Sequence, residues 1–75
     1  MKDASYYVVE ALKVKEEYFK RMIEHEKEMI EVHREYLLPL DQEKGEKEIF
    51  RCECRIEAFK DALEAIEKSE RIWSE

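Results

Sequence analysis

Glycine and proline are almost missing from this chain, whose 75 residues include one of each, Gly45 and Pro39. That scarcity excludes folds built on many tight turns and makes long helices the expectation. Long apolar runs are lacking too. No stretch approaches the ~18 apolar residues of a membrane-spanning helix, and the first residues carry no apolar signal-peptide core. A cytoplasmic location without membrane contact is therefore expected. Basic excess is also absent: the formal net charge is −6, and both halves are acidic. Such a chain has no electrostatic footprint for phosphate backbones, so nucleic acid is not an expected partner.

Cysteine is scarce, with only Cys52 and Cys54. Two residues apart on a helix, their side chains point roughly 200° away from each other and cannot bridge. A disulfide framework is excluded, and two reduced thiols suit a reducing compartment. Enzyme signatures are missing as well. There is no Gly-rich phosphate loop and no recognisable Ser/His/acid or Cys/His frame. The chain reads as a non-enzyme with no cofactor.

What is present is periodic. The composition is 44% apolar and 45% charged, and it falls into two helical stretches. With Val8 as heptad position a, position a reads Val8, Lys15, Met22, Met29 and Tyr36, and position d reads Ala11, Tyr18, His25 and Val32. Position e holds Leu12, Phe19, Glu26 and His33, and position b holds Val9, Glu16, Ile23, Ile30 and Leu37. These four rows are contiguous, an apolar face wider than a two-row coiled-coil seam. On the opposite face Glu10, Glu17, Glu24 and Glu31 alternate with Lys13, Lys20, Lys27 and Arg34, a spacing for ion pairs on a wet surface. Asp3 or Ser5 is the expected N-cap.

The second stretch carries two seams. Ile49, Cys52, Ile56, Phe59, Leu63, Ile66 and Trp73 form a bulky core seam, and Ala58, Ala62, Ala65 and Ser69 form a smooth one. Pro39 ends the first helix and Asp41 is placed to cap the second, whose start lies between Asp41 and Glu46. Residues 1–75 thus read as a single all-α domain, an antiparallel helical hairpin. Helix one spans about 4–38, the turn about 39–45 and helix two about 46–73. Two helices cannot cover both wide faces, so the expected closure is a homodimer forming a four-helix bundle, with Ala58, Ala62, Ala65 and Ser69 at the interface. Lys15 lies near the level of Glu67 and Glu70, where an interhelical ion pair would set register.

Metal-ligating residue types also occur on the inward face: His25, Glu26 and His33 on helix one and Cys52 on helix two. The Glu-x-x-His pattern of di-iron bundles fails, because Met22 and Ile30 precede the two histidines by three residues. The His-Glu-x-x-His pattern fails at Met29. A polar layer fixing helix register is the preferred reading of these side chains. Cys52 is expected as a small buried hydrophobe and Cys54 as a surface thiol beside Arg51 and Arg55.

The expected function is a small protein-interaction or regulatory role for an oligomeric hairpin that binds another protein. Tyr6, Tyr7 and Trp73, at the open end of the hairpin, are the expected partner contacts. Two alternatives are a metal or redox bundle using His25, His33 and Cys52, and an acidic inhibitor of a host or partner protein. The chain's size and acidic helices resemble, in general style, many small proteins of bacteria and their phages, a likeness that assigns no residue a role.

Overall fold

The computed structural model describes residues 3–74. Helix α1 spans Ala4–Val32 and helix α2 spans Gln42–Ser74, joined by a π-helical turn at His33–Leu37 and a short connection. Asp3 is the N-cap of α1: its carboxylate accepts from the Tyr6 amide and from the Ser5 hydroxyl, satisfying one of the first-turn donors. The two helices pack along their length into a hairpin 59 Å long, 17 Å wide and 11 Å thick. No helix among the described residues is long and apolar enough to cross a membrane.

The turn differs from the expected one. Pro39 has no N–H to continue the ladder, and its ring crowds the carbonyl four residues back. The chain widens in response, and the Leu38 amide donates to the His33 carbonyl at 2.8 Å. Asp41 then restarts the helix at once, its carboxylate accepting from the Lys44 amide at 3.1 Å. Gly45, expected within the turn, is instead helical and buried. A Cβ there would sit 2.8 Å from Leu38 Cδ2 and 2.9 Å from Leu38 Cα. The glycine is needed because the returning helix presses directly on the backbone of the outgoing one.

The core joins Ile23 and Ile30 of α1 to Ile49, Cys52 and Ile56 of α2, with Met29, Leu38, Phe59 and Leu63 packed against it. Phe19 and Phe59 extend it toward the open end, their rings 5.7 Å apart. Among the four apolar rows of α1, the rows of Ile23 and Glu26 (b and e) face α2, while Ala11, Tyr18, His25 and Val32 are exposed. In α2 the bulky seam faces α1. Trp73, placed in that seam by its spacing, is 46% exposed, because α1 offers little beyond its first turn to cover it.

Candidate functional site

The two sides of the hairpin differ in chemistry. One is charged. Glu10 pairs with Lys13, Glu24 with Lys27 and Glu31 with Arg34, and Lys20 turns to Glu16 at 2.8 Å. These pairs neutralise one another locally and each contributes only ~0.2–0.5 kcal/mol. The other side is apolar. Between the helices runs an open groove of about 580 Å³, lined by Val14, Lys15, Tyr18 and Phe19 from α1 and by Ala62, Ala65 and Ile66 from α2. Helical spacing continues both walls on the same side. On α1 the wall runs through Ala11, Met22, His25 and Val32, and on α2 through Ala58, Ser69 and Ile72.

Both stripes therefore open on one face. Tyr18 is 51% exposed, Val14 68% and Ile72 72%. Ala58 and Ala65 are exposed, whereas Ala62 and Ser69 are half-buried beside the seam. The small side chains of α2 form the floor of the groove, and the bulky ones of α1 form its raised edge. Contiguous apolar surface of this extent marks a contact site.

Under that face lies a polar layer. Glu26 is buried, and its Oε1 lies 3.0 Å from Nε of Arg55 on the facing helix. Arg55 also donates to Cys52 Sγ at 3.4 Å. Burial pushes the Glu26 carboxyl up, but the Cys52 thiol and the Arg55 guanidinium together outweigh it and hold the group below the ordinary carboxylate value. Burial, followed by the neighbouring Glu26 carboxylate, pushes the Cys52 thiol up, so that sulfur stays protonated and unreactive. Glu26 Oε2 is buried with no hydrogen-bond partner.

The residues with metal-ligand chemistry are not assembled around a point. Glu26 and Cys52 meet in the polar layer, His33 is half-buried nearer the turn, and His25 is exposed on the apolar side. Among the described residues, no three of His, Cys, Asp and Glu converge as a metal would require. Cys54 is exposed, and the two arginines flanking it are engaged elsewhere, Arg51 with Glu48 and Arg55 with Glu26.

Near the open end, Lys15 points into the groove and does not reach Glu67 or Glu70. The residue that faces Glu70 is Glu16, one position on. The facing Glu16 carboxylate, aided by burial, raises the Glu70 carboxyl above its ordinary value. Glu70 Oε1 is buried without a hydrogen-bond partner. The expected salt bridge is thus a carboxylate pair. A heptad frame that centres α1 on rows a and d misplaces Lys15; the Lys20 base two turns from the N-terminal half of the face is what offsets Glu16. Tyr6 and Tyr7 stack edge to face at 5.4 Å, and Tyr7 and Trp73 are both largely open to solvent.

No protein-family model matches the chain, and comparison with curated proteins and with solved structures gives no match.

Proposed function

We propose that this protein is a small, non-enzymatic interaction module that works as a homodimer, two hairpins closing into a four-helix bundle through their apolar sides. The observation that carries the reading is the segregation of the hairpin surface: ion pairs on one side, and Val14, Tyr18, Ala58, Ala62 and Ala65 on the other. A monomer would leave this apolar side in water. A face 59 Å long and 17 Å wide spans about 1,000 Å², more than the ~800 Å² per partner of a standard stable interface. In the closed bundle the charged sides and the aromatic open ends, with Tyr7 and Trp73, stay outward and are available to a second protein.

Sedimentation equilibrium tests the dimer. Twice the monomer mass at micromolar concentration is the expected result, and a monomer there would overturn the reading. The regulatory role requires the dimer to act on another protein through those ends. Truncating Tyr7 and Trp73 to Ala should abolish binding to that protein while leaving dimer mass unchanged.

A further inference from the structure

The charges of α1 divide into two groups. Those on the charged side are paired within the hairpin, whereas Lys15, Arg21, Glu28 and Glu35, on or beside the apolar side, form no ion pair among the described residues. Val14, Arg21, Glu28 and Glu35 step by seven along the outer edge of that side. Three of these positions are ionic, and the two central ones are of opposite sign.

A two-fold axis perpendicular to the helices lays such an edge against its own copy, so residues equidistant from the axis oppose each other. Arg21 and Glu28 are equidistant from the midpoint between Glu24 and His25. Resting on the dimer proposed above, we infer that the occupant of the groove face is a second copy of this chain, with α1 antiparallel against α1 and the axis at that midpoint. Arg21 of each copy then meets Glu28 of the other, giving two equivalent ion pairs. Between them Tyr18 comes onto Met29 and Met22 onto His25. Val14 opposes Glu35 at the ends of the edge, with no like charges in conflict. On α2 the same axis sets Arg51 and Arg55, large, over Ala62 and Ala58, small, which fills the floor of the groove.

The competing closure has its two-fold parallel to the helices and puts α1 against α2 of the other copy. The register of the hairpin, with Glu26 beside Arg55 and Phe19 beside Phe59, then brings Arg21 to Asp61. It leaves Glu28 near Cys54, without a base. The perpendicular axis satisfies both charges, and the parallel one satisfies only Arg21.

Charge reversal decides between them, read by sedimentation equilibrium at low salt. Arg21→Glu and Glu28→Arg each set like charges against each other twice per dimer. Each should raise the dimer dissociation constant by about tenfold or more, since such juxtaposition is costly at an interface. The double variant Arg21→Glu/Glu28→Arg should return it to near the wild-type value, and added salt should shrink the single-variant effects. Both positions are exposed, so helicity by circular dichroism should be unchanged. Silent single variants, or a double variant as weak as either single, would overturn this pairing while the dimer itself stands. Rescue of Arg21→Glu by Asp61→Arg would assign the parallel axis instead. A wild-type monomer would overturn the dimer as well.

Discussion

Glu26 and Arg55 tie the two helices together at 3.0 Å from opposite environments: the carboxylate side chain is 7% exposed and the guanidinium 48%. The acid is desolvated and depends on its partner, whereas the base keeps much of its hydration. Removing the base is therefore the more damaging change. Arg55→Met should destabilise the hairpin by about 1–3 kcal/mol, the cost of leaving a buried polar group without its partner. Glu26→Gln should cost less, because it leaves no buried charge behind. Urea denaturation of the two variants checks the order.

The same layer has a pH signature. Glu26 has a folded pKa below its ordinary value of 4.5, so its stabilising contribution is present above that value and is lost as pH falls through the folded pKa. In Arg55→Met this acid-side loss should shrink, because the base that favours the ionised carboxyl is gone. Thermal melts between neutral pH and strongly acidic pH test it.

Glu70 has the opposite sign. Its pKa is raised above 4.5 by the facing Glu16 carboxylate, so its contribution is fully present below 4.5 and is lost as pH rises through the folded pKa. Glu70→Gln removes a charge repulsion and can still donate to Glu16. The variant should melt higher than wild type at neutral pH and by the same temperature near pH 4, a difference that thermal melts at the two pH values would show.

Gly45→Ala sets two effects against each other. Alanine gains about 1 kcal/mol of helix propensity over glycine. Its Cβ, however, would lie 2.9 Å from Leu38 Cα, a backbone atom that moves only if the turn opens. Overpacking of this kind costs ~1–3 kcal/mol, and the net result should be destabilisation. A fall in the denaturation midpoint checks it; a rise would show that the turn yields freely.

Cys52 has no exposed surface, whereas Cys54 is open to solvent. A thiol reagent should modify one equivalent rapidly in the native protein. The second should react only on unfolding, at a rate that follows global opening. Mass spectrometry of the partly labelled protein should place the first label on Cys54.

Ala62 lies on the floor of the groove. Ala62→Leu should leave the hairpin's helicity intact, since the added atoms enter open space in the single chain. In the proposed bundle the same atoms overpack a close helix contact, at ~1–3 kcal/mol, and dimer dissociation should rise accordingly in sedimentation equilibrium.

The sequence by itself determined the two helices, their antiparallel return and the facing of the bulky α2 seam. One proline, one glycine and a three-four apolar spacing permit little else. It also determined the charged rows of α1, because surface ion pairs follow from spacing alone. Four contiguous rows on α1 were legible as a wide face, but not which two would meet α2. Only the tertiary structure decided that. The bulky isoleucines of row b fit the seam of α2 better than row d, whose Tyr18 and His25 would bury polar atoms without partners. This choice turned Lys15 into the groove, set Glu16 against Glu70 and paired Glu26 with Arg55. It also placed Tyr18 and the alanine stripe on one side of the hairpin. The π-helical turn was equally hidden, since it arises from how the chain relieves Pro39 while bringing Gly45 against Leu38. Local spacing specifies which residues can share a face; which face is buried depends on what the other helix presents.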